Sequence, residues 1–251
     1  MLTTQRKQYI LELLKKEGQI VAKTLSQGLG LSEDTIRRDL RELAKDGLLQ
    51  RVHGGALPAS PAVVNFAERE KIASEAKKAI GKAASRLIQS GQVVIVDGGT
   101  TTVQLVRHFP RDLKATVVTH SPTIAVELVN HANIEVILIG GRLFKHSVVT
   151  VGAAAIEAIK GIRADSYFMG VTGIHIEAGL STGDLEEAYI KRALSQSAAE
   201  TIVLASAEKI NAASSYIIGP VSDLSTLVTE QSIADDVLEP YKQLGITVIT
   251  S

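Results

Sequence analysis

The chain of 251 residues contains no cysteine, which excludes disulfide bonds and thiol chemistry. It has no apolar run long enough to cross a bilayer, and its N-terminus, MLTTQRKQYILELLKKEG, lacks the continuous apolar core of a signal peptide. Tryptophan is also absent, but 45% of the residues are hydrophobic, so the chain can build a core. We therefore expect a soluble, cytoplasmic protein of one or two domains.

The chain has no net charge either, since 27 lysines and arginines balance 27 acidic residues. This balance disfavours a nonspecific, chromatin-like DNA-binding protein, which needs an excess of positive charge. The charges are unevenly distributed, because residues 1–56 carry 10 basic against 7 acidic side chains and residues 57–251 carry 17 against 20. A basic N-terminal segment suits contact with nucleic-acid phosphates, but an imbalance of this size does not identify such contact by itself.

The N-terminal segment carries the pattern of three short helices. The first is predicted to end at Gly18, and the second to cover residues 22–27. A turn through residues 28–30 follows, where glycine supplies the left-handed backbone that a sharp turn needs. Ser32 is a good N-cap for the third helix. Two helices joined in this way are typical of a helix-turn-helix.

The third helix carries three arginines, of which Arg38 and Arg41 project outward and Arg37 lies on the flank. Leu31 and Ile36 stand at the two positions of a hydrophobic staple, which supports a helix start at this point. Arginine suits base reading because its planar fork can bond both major-groove acceptors of guanine. The alternative is an ordinary surface helix, on which Arg38 pairs with Asp34 or Glu42. The combination of turn, cap, staple and arginines favours contact with DNA.

The segment LLQRVHGGAL follows the third helix and predicts a strand, a Gly-Gly turn and a returning strand. Such a hairpin is the wing of a winged helix-turn-helix, and Arg51 and His53 near its tip would meet phosphate or the minor groove. His53 has the alternative of being a solvated turn residue. The residues that we assign to DNA contact are Lys23, Ser32, Thr35, Arg37, Arg38, Arg41, Arg51 and His53.

The rest of the chain alternates apolar strand patterns with helical patterns. We predict a winged domain over residues 1–57, a linker over 58–67 and a larger domain over 68–251 that binds an effector and oligomerises. The large domain begins with a helical pattern at 68–89. Strands are predicted at 93–97, 116–119, 135–139, 166–169, 201–205, 226–229 and 247–250, with helices near 101–109, 121–131, 152–160, 184–199 and 232–244. Apolar strands separated by helices indicate an α/β domain with a mostly parallel sheet.

In such sheets, ligands bind beyond the carboxyl ends of the strands. The sequence Asp97-Gly98-Gly99-Thr100-Thr101-Thr102 follows a predicted strand and opens a helix. Its glycines permit close approach of an anion, and its hydroxyls and helix amides supply donors. The segment is not a Walker A loop, because no Lys-Ser/Thr pair closes it. A plain glycine turn with a threonine cap is the alternative.

Other strand ends offer weaker candidates. Each has an alternative to ligand binding. Ser121, after His120, would serve as a simple helix cap, and Arg142, after Gly141, would be a solvated side chain. Lys209 would be a surface lysine. The residues that we assign to ligand binding are Asp97, Gly98, Gly99, Thr100, Thr101, Thr102, His120, Ser121, Gly141, Arg142, Gly170, Glu187 and Lys209. No residue is assigned to catalysis, to a metal ion or to a cofactor.

Two stretches, QRKQYILELLKKEG and TIRRDLRELAKDGLLQRVHGGA, closely resemble the N-terminal domain of the DeoR family of bacterial transcriptional regulators. This resemblance implies that Thr35, Arg37 and Arg38 lie on the DNA-reading helix. The segments DGGTTT, GGR and GLSTGDLEEAYIKRA resemble the effector domain of that family, whose fold is related to ribose-phosphate isomerases and amino-sugar phosphate deaminases. The resemblance implies a sugar phosphate or similar inducer, with its phosphate near residues 98–102 and Lys209.

Two segments depart from the family pattern. Thr119-His120-Ser121 stands where the family usually has Thr-Asn-Ser, and Ser206-Ala207-Glu208-Lys209-Ile210 stands where it has Asp-Ser-Ser-Lys-Phe. A different effector is therefore plausible, although the lysine is kept.

The function that we expect is a repressor of a sugar or carbon-metabolism operon, relieved by a phosphorylated effector. It would bind double-stranded operator DNA as a homodimer or homotetramer in the bacterial cytoplasm, associated with the nucleoid when bound. The alternative is a sugar-phosphate isomerase or deaminase with a DNA-binding head. Its candidate acids and bases are Asp97, His120, Glu186 and Glu187, and no pair of them is obviously arranged for proton transfer.

Overall fold

The computed structural model describes residues 2–251. The helices are α1 (Thr3–Glu17), α2 (Ala22–Leu29), α3 (Glu33–Lys45), α4 (Phe66–Lys71), α5 (Ser74–Ser85), α6 (Thr100–Arg107), α7 (Pro122–Leu128), α8 (Ala153–Lys160), α9 (Leu185–Gln196) and α10 (Asp235–Gln243). The strands are β1 (Ile20–Val21), β2 (Gln50–Val52), β3 (Gly55–Leu57), β4 (Val93–Val96), β5 (Ala115–Thr119), β6 (Ile134–Leu138), β7 (Arg142–Phe144), β8 (Val149–Val151), β9 (Ala164–Gly170), β10 (Gly173–His175), β11 (Gly179–Thr182), β12 (Ala198–Leu204), β13 (Tyr216–Gly219), β14 (Thr226–Thr229) and β15 (Thr247–Thr250). Within residues 2–251, no helix combines the length and the apolar character needed to span a membrane.

Residues 2–57 form a winged helix-turn-helix, as the sequence predicts. Helices α1, α2 and α3 share one small apolar core, and an antiparallel sheet in the order β1-β3-β2 closes it. Gly54 has a φ of +78° in the wing turn, and Gly55 lies against β1. A Cβ at Gly55 would lie 1.7 Å from the carbonyl oxygen of Ile20, so only glycine fits there without displacing the strand.

Helix α3 is fixed at its start and along its inner face. The Ser32 side chain accepts a hydrogen bond from the Thr35 amide at 3.3 Å, and Ile36 is fully buried in the small core. Asp39, also on the inner face, forms a buried ion pair with Arg6 of α1, in which the Nη2–Oδ1 distance is 3.0 Å. Apolar packing and a charge-assisted contact therefore hold α3 against α1.

The large domain is built on seven parallel strands in the order β15-β14-β12-β9-β4-β5-β6. Alternate residues of each strand point to opposite faces, so that Ile95 belongs to one apolar cluster and Val94 and Val96 belong to another. Helices α5, α6 and α7 cover the second face, and α8, α9 and α10 cover the first. The predicted α/β architecture with a parallel sheet is confirmed, and the predicted strands 226–229 and 247–250 match β14 and β15.

The order of the strands reverses direction between β4 and β9. From β4 the chain runs to β5 and β6 on one side, and it then returns to place β9, β12, β14 and β15 on the other. At such a reversal the two adjacent loops leave in opposite directions, which opens a crevice beyond the carboxyl ends of the strands. Both β4 and β9 deliver their following loops to this crevice.

The prediction of one continuous helix over residues 68–89 was wrong. Helix α4 ends at Lys71, Ala73 adopts a φ of +49°, and α5 begins at Ser74. The apolar periodicity continues across this break because both helices bury one face, so spacing alone does not reveal the turn. The sequence prediction also lacked the β7–β8 hairpin and the small antiparallel sheet β10-β11-β13.

The segment between the wing and α4, residues 58–65, is packed onto the large domain. The Pro58 carbonyl accepts a hydrogen bond from the Ala213 amide at 3.2 Å, and Ala59 forms an isolated parallel bridge with Ala213. Ser60 is buried and accepts a hydrogen bond from the Ala62 amide at 3.1 Å, which starts a short 3-10 turn at Pro61–Val63. The predicted linker is therefore ordered by specific contacts with the body of the protein.

Candidate functional site

The outer face of α3 presents arginines to solvent. Arg37, Arg38 and Arg41 are exposed, and Arg37 pairs with Glu33 at 2.9 Å. Neither Arg38 nor Arg41 forms an ion pair within the described part of the chain, and the surface pairs considered for Arg38 are absent there. Glu42 pairs instead with a lysine of α1. Two guanidinium groups of this helix are therefore free to bond an external acceptor.

The remaining residues assigned to DNA lie around this helix. Lys23 on α2 is exposed, as are Arg51 and His53 on the wing. The hydroxyls of Ser32 and Thr35 bond each other at 2.9 Å at the start of α3, so both take part in capping the helix. Helix, turn and wing together form one basic, solvent-facing surface of the kind that enters the major groove.

A second candidate site lies in the crevice between β4 and β9. Four parts of its wall follow or end strands: the loop after β4 with the start of α6, the loop after β9, the end of β11 and the turn after β12. Helix α9 and the segment from the wing to α4 complete the wall. The lining residues are Ala62, Arg69, Gly98, Gly99, Thr100, Thr101, Thr102, Gly170, Val171, Thr172, Thr182, Glu187, Lys191 and Lys209. Eight of the thirteen residues assigned to the ligand from sequence are among them.

The start of α6 forms the floor of this cavity. Gly99 caps the helix, and the first amides of a helix have no carbonyl partner within it, so they point outward as donors. Gly98 must be glycine, because a Cβ there would lie 2.1 Å from Cγ1 of Val149. The Thr102 hydroxyl donates to the Gly99 carbonyl at 2.9 Å, so it stabilises the helix start and its proton is not free for a ligand.

Lys209 is a buried cation beside the start of α6. Its side chain is only 6% exposed, and its Nζ lies 3.4 Å from the Thr101 hydroxyl oxygen. Burial, together with the charges of Lys77, Arg69 and Lys191, lowers the pKa of Lys209 to about 8, although Glu208 opposes this shift. An anion beside Lys209 would favour its charged form. Helix amides and a buried ammonium thus converge on one place suited to an oxyanion.

Asp97 organises the site but does not line it. It is fully buried, its Oδ1 accepts the Gly98 amide at 2.8 Å, and its Oδ2 accepts the Gly170 amide at 2.9 Å. Lys191 of α9 forms an ion pair with the same carboxylate and donates to the Gly170 carbonyl at 2.9 Å. The assignment of Asp97 to direct ligand contact is therefore corrected: it fastens the loop after β4 to the loop after β9.

His120 and Ser121 also lie outside the cavity lining. His120 is 1% exposed, its Nε2 lies 3.5 Å from Asp97 Oδ1, and burial lowers its pKa to about 4, so it is neutral near pH 7. Ser121 donates to the Val148 carbonyl at 3.2 Å. Both side chains are buried behind the loop after β4, where they support its shape.

The Gly141-Arg142 turn is likewise outside the cavity lining. Gly141 has a φ of +154°, and a Cβ there would lie 2.8 Å from the Val151 carbonyl oxygen. Close approach at Gly141 therefore serves strand pairing in the β7–β8 hairpin. Arg142 is exposed at the start of β7, which agrees with the alternative that it is a solvated side chain.

Two charged residues that line the cavity, Lys191 and Arg69, were not assigned to the site from the sequence. Lys191 lies in the charged run of α9 and pairs with the buried Asp97, a partner far away in the sequence. Glu187 of the same run, which was assigned to the ligand, is buried in the cavity wall. Burial raises the pKa of Glu187, although Lys191 and Arg69 oppose the rise. Arg69 lies in the charged run EREK, which has the pattern of a solvated helix face and gives no signal of a buried role.

Family models match both parts of the chain. The DeoR-like helix-turn-helix domain matches residues 6–61, and the DeoR C terminal sensor domain matches residues 72–231, which is more than half of the chain. The chain belongs to the DeoR family of transcriptional regulators. It therefore has a DNA-binding head and a sensor domain for a small-molecule effector, and it is a regulator of transcription.

Several transcriptional regulators resemble this DeoR-family chain over most of its length. The HTH-type transcriptional regulator GlpR of Haloferax volcanii is 34% identical over 251 residues, covering 99% of this chain and 98% of that protein. The HTH-type transcriptional repressor GlcR of Bacillus subtilis is 32% identical, covering 88% and 86%. The glycerol-3-phosphate regulon repressor of Escherichia coli is 29% identical, covering 92% of each.

Among solved structures, ribose 5-phosphate isomerase A from Methanocaldococcus jannaschii is similar to this DeoR-family chain. The TM-score is 0.41 at 14% sequence identity, and the similarity covers 58% of this chain and 55% of the isomerase.

In this chain, the two departures from the usual DeoR pattern lie near the cavity. His120 is buried behind the loop after β4, and Lys209 remains in the cavity wall.

Proposed function

We propose that this DeoR-family protein represses an operon of sugar or carbon metabolism and that a phosphorylated small molecule relieves the repression. The observation that carries the effector assignment is the convergence of Lys209, Arg69 and the start of α6 on one buried cavity. A phosphate monoester carries nearly two negative charges at neutral pH and three acceptor oxygens. It therefore satisfies both cations and the free helix amides at once.

The names of the relatives support this class of effector. One relative represses the glycerol-3-phosphate regulon, and another is described as a putative repressor of the aga operon. The cavity continues into a second space lined by His146, Ser147, Asp184 and Glu187 among others. Polar side chains there suit the hydroxyl groups of a polyol or sugar attached to the phosphate.

Relief of repression requires that the ligand bind the DNA-competent and the released states with different affinity. We propose that the head binds operator DNA in the absence of the ligand and loses affinity when the cavity is occupied. A coupling free energy of about 1–3 kcal/mol would reduce operator affinity about 5- to 150-fold, which is enough to switch a promoter.

We propose that the functional unit is a homodimer or homotetramer, acting on chromosomal DNA in a prokaryotic cytoplasm. One winged domain buries little surface on DNA, so specificity needs two or more heads on repeated half-sites. Exposed apolar side chains on the edge strand β6 and the adjacent helix α7 support this assembly: Ile137, Leu138, Val126 and Val129. Sedimentation at several concentrations tests it, and a monomer at all of them would contradict it.

We infer that the cavity senses its ligand without converting it. Asp97 is bound by Lys191 and two amides, and His120 is buried away from the lining, so neither is placed as a base. Glu187 is the one carboxylate among the described residues that line the cavity beside Lys209, and Asp184 lies only in the adjoining space. Turnover of a sugar phosphate by the purified protein, lost in Glu187→Gln, would overturn this inference.

A thermal-shift screen of sugar phosphates against the matching unphosphorylated sugars tests the proposed effector class. A ligand at about 100 times its Kd stabilises the native state by about 2.7 kcal/mol, or roughly 5–10 °C in a domain of this size. We expect this shift only for phosphorylated compounds, and we expect Lys209→Met to abolish it. Lys114→Met is the matched control, because Lys114 is exposed and precedes β5 at the opposite edge of the sheet. An equal response to unphosphorylated sugars, or an unchanged response in Lys209→Met, would contradict the proposal.

A further inference from the structure

Arg69 is the one cation of the cavity wall that stands in the segment leading from the wing to the large domain. It lies in α4, twelve residues after Leu57, the last residue of the wing. Ala62 of the same segment is 2% exposed and also lines the cavity. The part of the chain that carries the DNA-binding head therefore forms one wall of the proposed effector site.

The guanidinium of Arg69 has unused donors. Its Nε and Nη2 are buried, and within residues 2–251 neither has a hydrogen-bond partner. Burial lowers the pKa of Arg69, while the charges of Glu187 and Asp97 oppose this effect, although neither carboxylate comes within ion-pair distance. Leaving buried charged donors unpaired is unfavourable. Because Arg69 is one of the residues that line the cavity, its two unpaired donors are available to two acceptor oxygens of a bound anion.

Helix α4 is held in place around this guanidinium. Asn65 caps the helix by accepting the Glu68 amide at 3.1 Å, and the Phe66 amide donates to the His146 carbonyl at 2.9 Å. The buried Lys77 ammonium donates to the carbonyl of Arg69 itself. Arg69 is thus presented from a fixed backbone, as a binding residue requires.

A second cation of the cavity wall, Lys209, is connected to the same segment. Lys209 belongs to the turn Ala207–Lys209, and four residues later Ala213 holds Pro58 and Ala59 by a hydrogen bond and a bridge. A ligand that bonds Lys209 and Arg69 together acts on both pieces that seat the connection to the head. A cleft between the wing and the body is lined by residues of both.

We propose that Arg69 binds the anionic group of the effector directly and that this contact transmits occupancy of the cavity to the DNA-binding head. The inference rests on the proposed function, because it needs an anionic effector. It adds a ligand-binding residue outside the strand-end loops, and it names the element that couples the two domains. The coupling element is the segment from Pro58 to Lys71.

The competing explanation is that Arg69 serves only as a distant counterion of Glu187. The two roles predict opposite effects on stability in phosphate-free buffer. Replacement of an unpaired buried guanidinium by methionine leaves the melting temperature unchanged or raises it, whereas loss of a needed counterion lowers it. If Arg69 is only a counterion, the double variant Arg69→Met/Glu187→Gln recovers the melting temperature lost in Arg69→Met, because it removes both charges. The double variant does not recover a lost contact with the ligand.

The test uses the full-length protein with inorganic phosphate and glycerol 3-phosphate as probes, measured by titration calorimetry. We expect Arg69→Met to weaken binding of both probes about 10- to 100-fold, as Lys209→Met does, and Arg69→Lys to keep part of the affinity. Arg86→Met is the matched control, since Arg86 is an exposed arginine at the end of α5. Unchanged affinity in Arg69→Met, beside a loss in Lys209→Met, would overturn the inference and leave the proposed function standing. Absence of probe binding to the unmodified protein would overturn both.

Coupling is measured with a DNA duplex enriched by the unmodified protein from a random-sequence library. We expect Arg69→Met to bind this duplex within about twofold of the unmodified protein when no phosphate ester is present. Addition of glycerol 3-phosphate should release the unmodified protein from DNA but not the variant. Full release of the Arg69→Met variant at saturating probe would show that the signal travels by another route, which would overturn the coupling part of the proposal.

Discussion

The buried pair between Arg6 and Asp39 gives the most quantitative prediction for the head. Arg6 is 8% exposed and Asp39 is 1% exposed, so Asp39→Ala leaves a guanidinium buried without its carboxylate. Breaking such a pair by removing one partner costs about 3–5 kcal/mol. A domain of the size of the head has a free energy of unfolding of about 3–9 kcal/mol, so the substitution should remove a large part of the stability of the head. Because Asp39 lies on the inner face of α3, loss of the pair also frees the helix that presents the arginines.

Hydrogen exchange followed by mass spectrometry measures this loss in the full-length protein, head and body separately. Protection of the α1 and α3 amides should fall about 150- to 5,000-fold in Asp39→Ala, while the seven-stranded sheet stays unchanged. The control is Asp46→Ala, because Asp46 is an exposed carboxylate at the end of the same helix. A double variant, Arg6→Met with Asp39→Leu, should recover most of the protection. A fall below about tenfold in Asp39→Ala would refute the reasoning.

Three further predictions concern DNA reading, effector binding and the wing. Arg38→Ala should lower affinity for the enriched duplex by about 1–3 kcal/mol in anisotropy titrations; an unchanged affinity would remove Arg38 from the interface. Affinity for a phosphate ester should fall as pH rises through about 8, because the pKa of Lys209 is about 8 and only its protonated form attracts the anion. The ester is already dianionic above about pH 6, so this loss of affinity must come from a group of the protein. Lys209→Arg should shift the loss to higher pH, because arginine stays protonated throughout this range. Calorimetry across this range would contradict the role of Lys209 if the unmodified protein and Lys209→Arg lost affinity at the same pH. Gly55→Ala places a Cβ 1.7 Å from the Ile20 carbonyl oxygen, so the variant should lose DNA binding. Effector binding measured by calorimetry should stay normal. Normal DNA binding by the variant would contradict the close contact between β3 and β1.

The sequence was sufficient for features set by local signals. The cap at Ser32, the left-handed glycine at Gly18 and the glycine pair of the wing each specify backbone geometry, and the head follows from them. The parallel sheet was equally accessible, since strands covered on both faces are continuous apolar runs. The strand-end rule then located the loop after β4 as the floor of a cavity.

The sequence was insufficient where contacts between distant residues decide the structure. Asp97 has the appearance of a ligand-binding acid until Lys191, far along the chain, is found to pair with it. Arg69 sits in a run of charges that matches a solvated helix, and only the break at Ala73 and the folding of α4 over the crevice bury its guanidinium. Periodicity reports which face of a helix is apolar, but it does not report what covers a charged residue.

We propose that the protein reads DNA with its head and releases it when a phosphorylated ligand occupies the cavity. The most direct measurement is fluorescence anisotropy of the enriched duplex, titrated with the protein in the presence and absence of a phosphate ester identified by thermal shift. We predict sequence-selective binding without the ester and an operator affinity about 5- to 150-fold lower with it. An operator affinity that does not change at saturating ester, while the ester still stabilises the protein, would contradict it.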